Sequence, residues 1–303
     1  MGSPLLPSLL LALAPAPAQP AELPGEVANI PGAVRLAPVS EWGVDYDEQR
    51  CRLRRLFGSE QQPHLLAIEQ SAPVAKFALT IAGNQLPDLD GRIFMQLGLE
   101  SDRPMMIPHL RLGGTLDGFG RALIWPSVTM TSPAYGEPGQ GDRAAIQSGI
   151  SLNSSRKVER IVVRGQDKEV LVLETGNMQP AIRALNACTV DLIASWGLDP
   201  AQHRYYTPPR WVNFKQVRER MINDNFGTER GTEDQAVVEF RFIVETDGSV
   251  SDCVRINATS VNSVRPPVCS RARMARFEPA LDANGQPMRS FIVSAFSYFV
   301  DAS

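Results

Sequence analysis

Lysine and histidine are scarce in this chain of 303 residues: 26 of its 30 basic side chains are arginine, and its histidines are His64, His109 and His203. The 30 basic and 33 acidic residues leave a formal charge of -3, without the basic excess that binding to a phosphate backbone requires, so nucleic acid is not an expected partner. Cysteine is limited to four dispersed residues, and the three histidines have no metal-ligand spacing, so no metal is expected. Gly113-Gly114 and Gly118-Phe119-Gly120 lack the Lys-Ser/Thr that completes a phosphate loop, and read as β-turns or a bulge. There is no nucleophile elbow and no paired-histidine zinc helix, and Glu174-Thr175-Gly176 lacks the Asp of an aspartic protease. The expectation is a protein without catalytic residues or cofactor. A triad can be assembled from distant residues, so a pocket joining His64 or His109 to a carboxylate and a serine would make it an envelope hydrolase instead.

Long apolar runs are also lacking. Leu5 to Ala16, nearly all Leu, Ala and Pro, would form a helix of about 18 Å, short of the roughly 30 Å hydrocarbon core. Closing with Ala14-Pro15-Ala16-Pro17-Ala18, it reads as a secretory signal peptide over residues 1–18, although Met1 to Pro4 carries no Lys or Arg. The alternative is a disordered leader on a cytosolic protein. Export permits disulfides, and residues 19–40, rich in Pro, Ala and Glu, read as a flexible linker.

What is present is an ordinary globular composition, 43% hydrophobic and 21% charged, at a length that predicts about two domains. Over residues 41–203 short β-like runs alternate with turn signals: Cys51 to Phe57, Leu65 to Glu69, Lys76 to Ala82, Ile93 to Leu97, Ala122 to Met130, Glu159 to Arg164 and Glu169 to Glu174. This spacing predicts a mainly-β domain, sandwich- or barrel-like. Tyr135 to Asp142 reads as a mobile loop. The domain ends in a helix with Asn177 as N-cap, Pro180 in the first turn and Gly197 at its end. Ala181, Leu185, Cys188, Leu192 and Trp196 share one face, so Cys188 points to the core, either as a small hydrophobe or bonded to Cys51.

Tyr205-Tyr206-Thr207-Pro208-Pro209 marks a boundary, where Trp211 is placed to pin one domain to the other. Residues 204–303 follow as helix, two strands, helix, strand: Asn213 to Phe226, Ala236 to Glu245, Val250 to Ile256, Ser263 to Met274 and Ser290 to Val300. In the first strand Val238, Phe240, Phe242 and Val244 form one face, and Glu239, Arg241 and Glu245 the other. Thr246-Asp247-Gly248 is the hairpin turn. The fold class expected is therefore α+β.

The strand Val237 to Glu245, the turn Asp247-Gly248-Ser249-Val250, the run Ala275-Arg276-Phe277-Glu278-Pro279-Ala280 and Gly285-Gln286-Pro287 together resemble the C-terminal domain of TonB-type energy transducers, in order and spacing, over about a third of the chain. The resemblance implies a periplasmic protein linked to outer-membrane transport, whose terminal strand captures an extended segment of an outer-membrane receptor by β-augmentation. It implies Phe291, Val293, Ala295, Ser297 and Phe299 as the partner-binding strand, with Tyr206 and Pro208 standing where the family has a Tyr-Pro segment. The sequence departs from the family in having a cleavable-looking leader and a β domain where a membrane anchor and long Pro-rich linker are usual. Cys253 and Cys269, on the hairpin and the following helix, are expected to pair, as companion to Cys51 and Cys188. The alternative is a periplasmic ligand-binding or assembly protein, homodimeric through its edge strand and without energy coupling.

Overall fold

The computed structural model describes residues 32–88, 93–98, 112–130, 149–165, 169–223, 235–256 and 268–299. The leader, most of the linker, His109 and the Tyr135 to Asp142 segment lie outside them. The first part of the chain runs through β1 (Val34–Leu36), β2 (Gly43–Tyr46), β3 (Cys51–Gly58), β4 (Pro63–Gln70), β5 (Lys76–Ala82), β6 (Phe94–Leu97), β7 (Leu112–Leu116) and β8 (Gly120–Thr129). It continues through α1 (Leu152–Ser155), β9 (Ile161–Arg164), β10 (Val170–Leu173) and α2 (Gln179–Ser195).

These strands form two open sheets. One has six strands in the order β2-β3-β4-β5-β8-β7, antiparallel throughout; the other has four in the order β1-β10-β9-β6, with β1 parallel to β10. Among the described strands neither closes on itself, which corrects the barrel half of the expectation: β2 and β7 are the edges of one sheet, β1 and β6 of the other. Leu53, Ile68, Leu79 and Trp125 from the six-stranded sheet share one buried cluster with Met95, Ile161 and Leu173 from the four-stranded sheet and with Ile182, Leu185 and Leu192 of α2.

The start of α2 differs from the expectation by one residue: the N-cap is Met178, which makes no side-chain cap, and Asn177 stands just before it. Asn177 Oδ1 accepts the backbone N–H of Gln179 at 2.9 Å, Pro180 occupies the first turn, and Gly197 ends the helix at φ 71°, a left-handed conformation that favours glycine. Cys188 is bonded to Cys51, with Cα atoms 6.0 Å apart, so the helix is stapled to β3. No helix among the described residues is long and apolar enough to cross a membrane.

The second part comprises β11 (Arg210–Trp211), α3 (Phe214–Asn223), β12 (Gln235–Val244), β13 (Val250–Ile256), a 3-10 helix (Val268–Met274), β14 (Phe277–Glu278), β15 (Ala280–Leu281), β16 (Pro287–Met288) and β17 (Ser290–Phe299). The expected helix over Ser263 to Met274 is described from Val268, as a 3-10 helix of seven residues. Its sheet has the order β13-β12-β17, both pairings antiparallel. Phe240, Phe242 and Val244 point from β12 to a cluster with Val217 and Met221 of α3 and with Ala272, Ala275 and Phe277.

Glycine is required at the hairpin turn for two reasons. Gly248 sits at φ 79°, and a Cβ there would stand 1.9 Å from the carbonyl oxygen of Phe277, whose N–H donates to the Gly248 carbonyl at 3.0 Å. The turn thus carries the strand that leaves the 3-10 helix. Trp211, expected between the two parts, instead packs inside the second, against Phe214, Phe242 and Phe277 at ring separations of 5.1, 5.4 and 5.1 Å.

Candidate partner interface

Two surfaces of the C-terminal sheet set what it can do: the free edge of β17, and the face of β12 and β17 turned away from α3. The edge strand pairs with β12 over ten residues, from Ser290 opposite Val244 to Phe299 opposite Gln235, and no described strand lies on its other side. Its sequence, SFIVSAFSYF, has neither a charge nor a proline. Natural edge strands commonly carry such residues to prevent pairing with another chain, so β17 is an unguarded template. The opposite edge differs. β13 carries Asp252 and Arg255, and a disulfide from Cys253 to Cys269 ties it to the 3-10 helix, with Cα atoms 5.5 Å apart.

The other face of the sheet, which alternation predicts to be polar, is covered by the first part of the chain. Ile243 and Phe291 are buried with Ala72, Ile193 and Leu198, and Val293 packs beside them. Trp196 lies edge-on to Phe291 at 5.3 Å. Trp196, rather than Trp211, therefore joins the two parts. The signal for this in the sequence is Ile243, an apolar residue on the strand face that otherwise holds Glu239, Arg241 and Glu245.

Two charged residues of that face find partners at the junction, although the buried Arg241 Nε has no hydrogen bond among the described residues. Arg241, 4% exposed, stacks its guanidinium 4.3 Å from the Trp196 ring centroid and donates to Gln49 Oε1 at 3.2 Å and Asp252 Oδ2 at 3.4 Å. Glu239 accepts from the Ser71 hydroxyl at 2.5 Å. Burial pushes its carboxyl above the usual carboxylate range, Ser71 and Arg50 pull it back, and Glu69 adds to the rise. Glu69 is itself buried in β4 and paired with Arg50 at 3.3 Å and Arg52 at 2.7 Å.

His203 completes the junction. Its Nδ1 lies 2.8 Å from the Asp199 carbonyl oxygen and its Nε2 3.1 Å from Ser290 Oγ at the start of β17. A carbonyl can only accept, so the neutral ring carries its proton on Nδ1 and leaves Nε2 to accept from Ser290. The ring also packs on Phe291 and Tyr206, at 5.6 and 4.9 Å. Burial lowers the His203 pKa, against the opposing effect of Asp199, and pushes the Tyr206 hydroxyl up to about 12, against its hydrogen bond with Ser290.

A pH dependence follows. The folded chain binds the His203 proton more weakly than the unfolded chain, whose histidine titrates near 6.5, so the contribution of His203 is complete above about pH 6.5 and is lost as pH falls below it. His64 is shifted in the same direction by burial and acts in the same window, whereas Glu239, shifted upward, acts in the opposite sense as pH rises. Denaturant midpoints at pH 7.5 and 5.5 are expected to fall less for His203→Asn than for the unaltered chain. Equal falls would show that His203 does not contribute.

The expected partner-binding residues are thus placed in three ways. Phe291 and Tyr206 are buried, and Val293 and Pro208 are half-buried. Ala295 is exposed on β17. Ser297 and Phe299 continue the pairing opposite Val237 and Gln235, and their backbone alone is described. β17 therefore has main-chain groups to offer along its edge, while its first side chains are engaged within the chain.

The features that would support a hydrolase are not brought together by the described residues. His64 is buried in β4, where its Nε2 accepts the N–H of Gln85 at 3.1 Å. A surface cleft of about 490 Å³ is lined by Asp45, Tyr46, Asp47, Glu48, Arg50 and Arg52. This lining holds no histidine, serine or cysteine, and Arg50 and Arg52 are committed to Glu69. Among the described residues no group of three or more His, Cys, Asp or Glu is placed to hold a metal ion.

Fold and interface together define a mostly β chain with two disulfides and several antiparallel sheets, the C-terminal one ending in a ten-residue edge strand without charge or proline. Comparison of the chain with protein-family models, curated proteins and solved structures finds no match.

Proposed function

We propose that the chain is an exported cell-envelope protein whose last hundred residues capture an extended peptide by strand addition to β17, in the manner of TonB-type energy transducers serving outer-membrane transport. The observation that carries this reading is the ten-residue edge strand without charge or proline, beside a second edge that carries both charges and a covalent tether. Strand addition takes its affinity from main-chain hydrogen bonds and asks nothing of buried side chains such as Phe291. The two disulfides suit an oxidising compartment, consistent with the periplasm.

The test is to titrate the isotope-labelled full chain with synthetic peptides from the N-terminal segments of outer-membrane receptors. Amide shifts concentrated in residues 290–299 are expected, together with loss of binding when alternate peptide nitrogens are methylated. No shift in β17, or equal binding of the methylated peptide, would remove the basis of the reading. The same edge is open to a second copy of the chain. Light scattering that finds a dimer with β17 amides already protected from exchange would favour an assembly role instead.

A further inference from the structure

We propose that the Cys253–Cys269 bridge is a thiol–disulfide exchange site, opened by an external dithiol at the Cys269 sulfur, whereas Cys51–Cys188 is a closed structural staple. The proposal does not depend on the peptide-capture reading. It rests on the opposite surroundings of two bridges in one chain. Cys51 and Cys188 are 0% and 1% exposed, within a cluster shared by both sheets and α2 of the first part. Cys269 is exposed, and Cys253 is half-buried against the cluster that holds Phe240 and Phe242. Exchange needs a thiolate to reach one sulfur, so at the first bridge it must await unfolding and at the second it need not.

The exposure of Cys269 also decides which sulfur is attacked. The incoming thiolate bonds to Cys269 Sγ, the disulfide bond breaks, and Cys253 leaves as a thiolate that takes a proton from water. The second thiol of the reagent, as its thiolate, then attacks its own sulfur in the mixed disulfide and releases Cys269 as a thiolate, which is protonated in turn. The protein gains two electrons and two protons, and the dithiol ends as its own disulfide. Arg255, Arg271 and Arg273 lie within four residues of the two cysteines along the chain, and positive charge in such surroundings favours thiolate over thiol. Asp252 is the neighbouring acid, and it is paired with Arg241.

Opening the bridge has a local mechanical consequence. The bridge spans a sequence separation of 16 and ties the 3-10 helix to β13. From that helix Ala272, with Ala275 just beyond it, closes over Phe240 and Phe242. Without the bridge this cover is held by Ala272, Ala275 and Met274 against the cluster and by the hydrogen bond from Asn213 Nδ2 to the Met274 carbonyl at 2.9 Å, while β12 keeps its ladders to both neighbours. The chemical class of the partner is a dithiol reductant, and its product is a chain with the Val268–Met274 segment released.

The experiment treats the folded full-length chain with dithiothreitol, quenches samples over time with iodoacetamide, and maps the labelled cysteines. Cys253 and Cys269 are expected to label at least about tenfold faster than Cys51 and Cys188. Tryptic cleavage after Arg271 and Arg273 is expected to accelerate in step. The double variant Cys253→Ser/Cys269→Ser should show that rapid cleavage without reductant, while Cys51 and Cys188 remain unlabelled. Joint labelling of all four cysteines, earlier labelling of Cys51 and Cys188, or reduction that leaves the cleavage pattern unchanged would overturn the proposal.

Discussion

Replacing Cys51 and Cys188 together by alanine is expected to lower the unfolding free energy by about 5 kcal/mol. The magnitude comes from the sequence separation of 137, since a cross-link removes more freedom from the unfolded chain as its loop grows. The location argues the same way. The bridge fastens α2 to β3 within the cluster shared by both sheets, where both cysteines are shielded from water. The companion variant lacking Cys253 and Cys269, with a separation of 16, is expected to lose about 3 kcal/mol by the same relation. Guanidinium denaturation without reductant, followed by fluorescence of the tryptophans, measures both. A loss for the long loop no larger than for the short one would show that the unfolded chain is already compacted around Cys51 and Cys188.

Phe291→Ala is expected to cost about 3 to 5 kcal/mol, the usual range for deleting a buried phenyl ring. Phe291 is 5% exposed and touches both parts of the chain: Trp196 and His203 pack on its ring, and Ala72, Ile193 and Leu198 share its cluster. The truncation therefore acts on the junction as well as on the sheet. Hydrogen exchange should show faster exchange at Ala72, Val74 and Trp196, with the ladder between β12 and β13 retained. An alternative outcome discriminates: stability unchanged within about 0.5 kcal/mol, with weakened peptide binding, would mean that the ring meets a partner and not the first part of the chain.

Several elements are legible from local pattern. The alternation through Phe240, Phe242 and Val244 marks β12, the Asp247-Gly248 pair marks the hairpin, and Asn177, Pro180 and Gly197 bracket α2. Each rests on an interaction spanning a few residues: a positive φ, a short side-chain to backbone hydrogen bond before the helix, a period of two or 3.6. Both cysteine pairs are expected from the sequence as well, because the expectation of export permits disulfides and the helical face of Cys188 limits the choices.

The failures have a common cause. The polar face of β12 gives no local sign of burial apart from Ile243, because Arg241 is made tolerable by Trp196 and Gln49, and Glu239 by Ser71, residues 45 to 192 positions away in sequence. The sequence puts Trp196 on the core face of α2 and Trp211 at the boundary, and packing alone shows that Trp196 joins the two parts. His203 has no neighbour in sequence that announces Ser290, 87 residues on.

By itself, then, the amino-acid sequence indicated the longer strands, the hairpin, the end of α2, the expected cysteine pairs and the charge-free character of β17, but not the short strands β1, β2, β7, β11, β14, β15 and β16 or the 3-10 form of Val268–Met274. Tertiary structure decided that the sheets stay open, that one face of the C-terminal sheet is closed by the first part of the chain, and that one disulfide is sealed while the other meets solvent. The division is physical. Dihedral preference and side-chain alternation are written within a few residues, whereas burial depends on which distant surfaces meet.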